Sequence, residues 1–538
     1  MTQNSVQGER TREGVPQARE GAAEGNGSGS RHGRRRARPR RKHRVLRWSA
    51  TTLSVLILGT AGAGYLYYQH LNGNLGTGER SSGDSKAKKS APNAAGQTPL
   101  NILLIGSDSR ASAENVKLGG SKDSRGNPPL GDVQMLIHLA ADRKSAAVVT
   151  VPRDTRVPIP ECTDPETDEV YPATTREIIN TTLGRGGAGC TLATWQNLTG
   201  VYIDHWMTID FAGVVRMADA VGGVEVCVNQ NVHDRPLPGV PGGSGLKMKA
   251  GRKEVKGEEA LQWLRTRHAW GSDPLRAKAQ HMYMNSMIRT LKKQNVFTDG
   301  GRLMDLAEAA TKSLDVSEEI GSVKKLYDLS KQLKSVPADR ITMTTMPNIE
   351  DPQDRNHLVP LEADAEKLWQ MLRDDVPFDD NGTDSGKKKP KEKVSDDPAA
   401  ADGEIGVLVQ NATRSSSLGP VDGRARTVSG LLTEKGFARA SADTTSGLAE
   451  ERTVVRFPSA DLEGDAQRIA KSLGIPLSSV KKSTDVSGVT LIVGADWREG
   501  TTYPKKSDPR AGDLPSTSDE LNGADSSKCM DVYKPYRW

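Results

Sequence analysis

Residues 131–157 read GDVQMLIHLAADRKSAAVVTVPRDTRV, and the way this stretch divides decides the fold. Two apolar runs, 133–140 and 146–151, are joined by the polar turn ADRK and read as neighbouring strands. The acid Asp132 heads the first run, and the pair Arg153 and Asp154 ends the second. Side-by-side strands of this kind carry Asp132 and Arg153 toward one rim. A carboxylate beside a guanidinium at a strand end suits a metal-assisted phosphate site, and equally a plain salt bridge.

Further clusters of the same chemistry surround this stretch. Upstream, the strand NILLIG runs directly into the loop GSDSR, which carries Asp108 and Arg110. Downstream, LRTRHAWGSDPLR brings Arg265, Arg267, His268, Asp273 and Arg276 into a short span. On a continuous helix Arg265 and Arg267 would point to different faces. They converge only where the helix stops beside them, and the Ala-Trp-Gly-Ser-Asp-Pro run predicts such a stop. A solvated helix end would account for the same charges. The inventory contains at least two acids and four arginines, with no nucleophile elbow and no Walker-type loop. It fits a pyrophosphate gripped by arginines beside a carboxylate-held Mg²⁺, because the planar guanidinium takes phosphate oxygens two at a time.

The rest of the 538-residue chain sets the context. Hydrophobic residues make up 35% and aromatics 4%, with 54 Gly and 29 Pro, so a sizeable share is not packed core. Much of the basic excess behind the net charge of +6 lies in RHGRRRARPRRKHRVLR, residues 31–47. Immediately after it, residues 48–68 hold no charged side chain, about the ~20 residues that cross a bilayer as a helix. Trp48, Tyr65, Tyr67 and Tyr68 stand at its ends as interfacial anchors. The length of the basic region and the missing small-residue cleavage site disfavour a signal peptide. The adjoining span disfavours a nucleic-acid-binding arm, and no DNA-reading fold accompanies it. A single uncleaved anchor with a cytoplasmic N-terminus is expected, leaving the bulk of the chain outside the cell membrane.

The expected organisation follows. Residues 1–44 form a disordered basic tail, 45–68 the transmembrane helix, and 69–98 a flexible stalk. Residues 99–378 form a large mixed-sheet α/β domain, and 379–402 a linker rich in Lys, Pro, Asp and Gly. A smaller α/β domain spans 403–497, and 498–538 is a polar, mostly irregular tail. The four cysteines lack metal-binding spacing and, outside the cell, point to disulfides. Cys162 with Cys190 is the first pairing to expect and Cys227 with Cys529 the second, although four cysteines allow three connectivities.

NILLIGSDSR, GDVQML, VPRDT, IINTTLGRGG, TGVYIDHWMTIDF, ADAVGGVEV, GEEALQWLRTRH and SDPLR occur in the order and approximate spacing of the LytR-CpsA-Psr family. The match covers roughly residues 99–295. The smaller domain, with VLVQNAT and LLTEKGF, resembles the LytR C-terminal domain found behind that unit, often in actinobacteria. The resemblance implies a phosphotransferase that moves an anionic glycopolymer from a polyprenyl-pyrophosphate carrier to peptidoglycan, usually the muramic acid C6 hydroxyl. It implies that Asp108 and Asp132 hold Mg²⁺, with Mn²⁺ as the alternative ion. Arg153, Arg265, Arg267 and Arg276 would bind the pyrophosphate with help from Arg110. Asp154 would orient arginines or help take the proton from the attacking hydroxyl. Apolar elements behind the site, the Met282 to Met287 stretch among them, would enclose the lipid or serve as ordinary core.

The chain departs from the family pattern in three places. Leu130 and Gly131 precede Asp132, and Val133 follows it, where the family has an arginine two before the acid and then a threonine. The nearest substitute is Arg125. A lysine is missing at Ile178 or Ile179, with Arg176 close by, and Ala279 stands three after Arg276 in place of arginine. These losses thin the phosphate grip. They leave open an altered donor, slow turnover, or a wall- or carrier-lipid-binding scaffold with a weakened site; separately, the same site could use water as acceptor and act as a pyrophosphatase that releases polymer.

Overall fold

The strand pair at 131–150 lies inside an eight-stranded mixed sheet of the computed structural model. Gly131–Leu139 runs antiparallel to Ala146–Thr150, with Met135 opposite Thr150 and Leu139 opposite Ala146. On its other side Gly131–Leu139 pairs antiparallel with Leu100–Ser107, the strand that leads to Asp108. His205–Ile209 continues the sheet in parallel, then Leu314–Ser317 antiparallel, then Gly76–Gly78 parallel. Beyond Ala146–Thr150 come Ile341–Thr345 in parallel and Leu521–Asn522 antiparallel at the edge. The sheet is covered on both faces, so the central strands are nearly continuous apolar runs: Leu103, Ile105, Leu136, Leu139 and Val149 are fully buried. The described residues are 42–93, 95–119, 127–294, 299–380, 394–414, 419–444, 448–450, 452–504 and 509–538.

One buried polar side chain ties the sheet to the layer above it. Gln134 accepts a hydrogen bond from the Trp195 indole at 2.6 Å and donates to the Ile179 carbonyl at 3.1 Å. Trp195 belongs to the helix Leu183–Thr199 and is wholly buried, so its indole N–H requires this partner. The bond also holds the 178–182 segment beside the strand end.

The chain divides between Tyr65 and Leu66 into two units. The first carries most of the helix Lys42–Gly73, whose segment from Arg44 is the one helix among the described residues long and apolar enough to cross a membrane. Its large side chains, including Trp48, Leu56 and Leu58, are exposed, as an anchor's are. The disorder expected for residues 1–44 falls largely on 1–41, which lie outside the described residues.

The expected flexible stalk is pinned. The helix continues to Gly73, and Gly76–Gly78 then joins the sheet. The Arg80 guanidinium lies 4.8 Å from the Tyr202 ring centre and donates to the Ile203 carbonyl at 2.8 Å. Lys89 meets Asp204 at 2.7 Å. Composition alone marks this stretch as free, but its polar side chains have long-range partners that composition does not reveal.

The smaller domain is a five-stranded sheet in the order Arg439–Ala442, Gly406–Ala412, Thr490–Gly494, Val454–Phe457, Val480–Lys482. Helices Arg424–Glu434 and Glu463–Leu473 bury Val428, Leu432, Ile469 and Leu473 against it. Of the linker, residues 381–393 lie outside the described residues. The tail after 498 has little regular structure, yet it is packed. Leu521 fills the sheet edge, and Met530, Val532 and Tyr536 join the core formed around Trp263 and Trp270. Both expected disulfides are present, Cys162–Cys190 and Cys227–Cys529. Their sequence separations are 28 and 302 residues, so the second ties the tail to the large domain.

Candidate active site

The strand register places the site. Asp132 and Arg153 each lie three residues past the Met135–Thr150 pair, at the same end of two adjacent strands. Arg153 Nη1 donates to Asp132 Oδ1 at 3.0 Å, and its Nε donates to Asp154 Oδ2 at 3.2 Å. Asp108, at the end of the next strand, accepts the Leu130 amide at 2.7 Å and donates its own amide to the Leu130 carbonyl at 3.1 Å. Leu130 thus braces Asp108 through its backbone. Arg125 lies outside the described residues.

Helix ends supply the remaining arginines. The helix Gly257–Arg265 stops at Thr266, whose backbone is extended, so Arg265 and Arg267 sit on either side of the break. Arg265 donates to the carbonyls of Leu118 at 2.9 Å and Gly119 at 3.2 Å, with its guanidinium 4.7 Å from the Phe211 ring centre. The helix Asp273–Lys293 starts at Ser272, whose hydroxyl accepts from the Leu275 amide, and has a proline in its first turn. That start puts Arg276 one turn into the helix, where it donates to the Asp132 carbonyl at 3.1 Å.

Asp132, Arg153, Arg265, Arg267 and Arg276 line one cavity of about 530 Å³. Asp108, Arg110 and Asp154 stand just behind its wall: Arg110 approaches Asp108 at 4.0 Å, and Asp154 touches Arg153. The cavity's far walls are apolar, with Leu104, Met135, Met217, Leu261, Met284 and Met287 among them. Met284 and Met287 line the cavity and also pack against the neighbouring cores, whereas Met282 belongs to the cores and is not a lining residue. One face of the Asp273–Lys293 helix runs along the cavity, from Arg276 through Gln280 and Tyr283 to Met284 and Met287. These steps of three and four residues are the helical repeat.

The electrostatics match crowded charge behind a partly closed mouth. Burial raises the Asp108 carboxyl above the usual carboxylate range, and the Asp132 charge adds to this against the pull of the Leu130 amide and the nearby arginines. Burial, followed by repulsion from Arg110, lowers Arg265, while Asp132 and Asp108 favour its charged form. A divalent cation would relieve the mutual repulsion of Asp108 and Asp132, two hard oxygen donors of the type Mg²⁺ prefers. The donor set fits Mg²⁺ on this ground. Among the described residues no group of three or more acids, histidines or cysteines is placed to hold a metal ion. Mg²⁺ commonly takes one or two carboxylates and completes its shell with phosphate and water.

The departures seen in the sequence have structural explanations. Arg176 is taken up by an ion pair with Asp351, away from the cavity. Ala279 is fully buried, and its carbonyl accepts the Trp263 indole at 3.1 Å, so that helix position faces core and has no room for arginine. Sequence reading missed several residues. Asp234 is buried, accepts the Ala269 amide at 3.2 Å and the Ser244 amide at 2.8 Å, and so joins two loops at the mouth. Phe211, Gln280 and Tyr283 also line the cavity. For Gln280 and Tyr283, spacing from Arg276 was an available signal; for Asp234 and Phe211 there was none.

The LytR_cpsA_psr family model matches residues 66–374, and the LytR cell envelope-related transcriptional attenuator model matches 404–497. The cell wall biosynthesis protein LcpA of Corynebacterium glutamicum is 26% identical over 487 residues, covering 85% of this chain and 87% of that protein. The polyisoprenyl-teichoic acid–peptidoglycan teichoic acid transferase TagV of Bacillus subtilis is 23% identical over 282 residues, covering 52% of this chain and 65% of that protein. Among solved structures, the LytR-Csp2A-Psr enzyme from Actinomyces oris covers 55% of this chain and 95% of its own, at 16% identity and a TM-score of 0.40.

Proposed function

Because the chain belongs to the LytR_cpsA_psr family, we propose that it is a membrane-anchored phosphotransferase that moves an anionic glycopolymer from a polyprenyl-pyrophosphate carrier onto peptidoglycan. The observation that carries this reading is the two-sided cavity, with four arginines and Asp132 at one end and leucine and methionine walls at the other. A prenyl pyrophosphate has the same division between a doubly charged head and a branched apolar tail.

In this reading Arg153, Arg265, Arg267 and Arg276 hold the pyrophosphate oxygens, and Arg110 supports them from behind. Asp154 orients Arg153 through its Nε contact. Asp108 and Asp132 would hold Mg²⁺, which when bound neutralises charge on the pyrophosphate. The acceptor hydroxyl attacks the phosphorus that carries the polymer, the bridging P–O bond breaks, polyprenyl phosphate leaves with the bridging oxygen, and the hydroxyl proton passes to solvent, with Asp154 the nearby carboxylate that would help take it. The protein contributes position and charge neutralisation, with no covalent intermediate. By the positive-inside rule, the basic block before the anchor supports a cytoplasmic N-terminus with the cavity outside.

The test uses the full-length protein in detergent with a short polyprenyl-pyrophosphate saccharide, a soluble peptidoglycan oligomer, and either Mg²⁺ or chelator. Mass spectrometry should find a saccharide-phosphate adduct on the oligomer that disappears with chelator. Free phosphorylated saccharide without adduct would replace transfer by hydrolysis. Intact bound lipid would replace both by a binding role.

A further inference from the structure

We propose that residues 529–538, outside both matched family segments, form a clasp that positions the Arg267–His268 loop at the mouth of the cavity; this rests on the transferase reading above. Ala269 and Trp270 anchor the loop in the core, and the Arg267 side chain stands outside it. After the helix ends at Arg265, Thr266 is extended, and residues 267–271 turn tightly through amide bonds from Trp270 and Gly271 to the Arg267 carbonyl. Arg267 is exposed and lines the cavity, and among the described residues its guanidinium has no hydrogen-bond or ion-pair partner. Its direction is therefore set by the backbone that carries it.

The tail holds that backbone from behind. Tyr533 donates its amide to the Ala269 carbonyl at 2.8 Å. Tyr536 is buried, and its ring stacks on the His268 ring with centres 6.1 Å apart and planes 21° apart. His268 is a cavity-lining residue, so the stack connects the clasp to the site in one step. Gly271 turns with φ +88° beside Tyr533, a backbone conformation in which a side chain would be strained.

The clasp is fastened along its length. Cys529 is bonded to Cys227, and Met530 exchanges hydrogen bonds with the backbone on either side of Val228, to the Cys227 carbonyl and from the Asn229 amide, both at 2.9 Å. Val532 donates to Gln230 Oε1 at 2.8 Å, and the Trp538 indole donates to the Val232 carbonyl at 2.9 Å. This is a second strand-like layer laid over residues 227–232. Its inward side chains, Met530, Val532 and Tyr536, share a core with Trp263 and Trp270, which flank the arginine loop in sequence. Asp234 grips the same loop from the opposite side through the Ala269 amide. The loop is thus held between Asp234 and the tail, and only the tail side reaches His268 by a ring contact.

Tyr536→Ala and Tyr536→Phe in the full-length protein test the clasp, with binding of a short prenyl pyrophosphate compared with binding of the matching prenyl alcohol. Both ligands use the apolar wall, and only the pyrophosphate uses Arg267. Tyr536→Ala should weaken the pyrophosphate about tenfold, the scale of one charge-assisted hydrogen bond, and leave the alcohol unchanged. Tyr536→Phe should restore the wild-type ratio. Amide exchange across residues 266–272 should rise in the alanine variant only. A folded Tyr536→Ala protein with wild-type pyrophosphate affinity and wild-type loop exchange would overturn the proposal. Where alanine prevents folding, Tyr536→Leu keeps the apolar volume, removes the ring stack and is read by the same two criteria. Wild-type protein that binds the alcohol as tightly as the pyrophosphate would overturn the transferase reading instead, and the loop exchange would then decide the clasp alone.

Discussion

Arg153 and Asp132 meet at 3.0 Å because each stands three residues beyond the same cross-strand pair, Met135 and Thr150. The contact couples two functions. The guanidinium expected to hold phosphate spends one arm on a carboxylate expected to hold metal, and a second on Asp154. Replacing that fork with a point charge breaks the geometry while keeping the sign of the charge.

Arg153→Lys is therefore expected to lower transfer by about a hundredfold or more, the scale seen when a preorganised charge-stabilising donor is lost. The melting temperature should shift by a few degrees at most, since partly exposed ion pairs contribute little to stability. Turnover of the lipid-linked donor and a melting curve check both halves. Near-normal turnover would remove Arg153 from the site.

Asp108→Asn retains an oxygen for the Leu130 amide and loses the charge. The fold should persist while the Mg²⁺ concentration for half-maximal turnover rises at least about tenfold. A Mg²⁺ titration of the variant against the wild type reads this directly, and coincident curves would exclude Asp108 as a ligand.

Met284→Trp should fill the apolar end of the cavity, since Met284 lies on the face of the Asp273–Lys293 helix that lines it. The KM for a lipid-linked donor should rise about tenfold, a typical result of changing a few methylenes in an apolar pocket. Donors with a truncated lipid should be less affected. Equal loss for long and short lipids would place the tail elsewhere.

His281 predicts a pH dependence of stability. Burial lowers its pKa from 6.5 to about 4, with Asp519 opposing weakly, and the neutral ring pairs with the Thr150 hydroxyl at 2.7 Å. As pH falls, the unfolded chain takes the proton first. The contribution is complete above pH 6.5 and is lost progressively down to about pH 4, a total of about 3 kcal/mol. Denaturant unfolding from pH 7.5 to 4.5 should show this slope, and His281→Gln should flatten it; parallel profiles would mean that His281 does not control it.

Local patterns made much of this molecule readable. The charge-free run after the basic block marks the anchor, and the turn ADRK between apolar runs marks the central strand pair. The Ala-Trp-Gly-Ser-Asp-Pro run marks a helix stop, and the structure adds that Ser272 also caps the next helix and puts Arg276 near its start. The convergence of Arg265 and Arg267 was conditional on a helix end, and Thr266 supplies it. Ala279 shows the opposite case. Three residues after Arg276 looked like a site position by family pattern, whereas the packing of Trp263 makes it core.

By itself the sequence determined the order of anchor, large domain and small domain, the central strands, and the identity of the charged groups near their ends. These depend on composition and on short repeats, which a chain carries before it folds. Tertiary structure alone decided that the stalk and the tail are fastened to the large domain, that Phe211 lines the cavity beside Arg265, and that Asp234 and Tyr536 contact the arginine loop. Such contacts join segments with no shared periodicity. Their energy comes from burial and pairing available only after the sheet has formed, so nothing in the local pattern announces them.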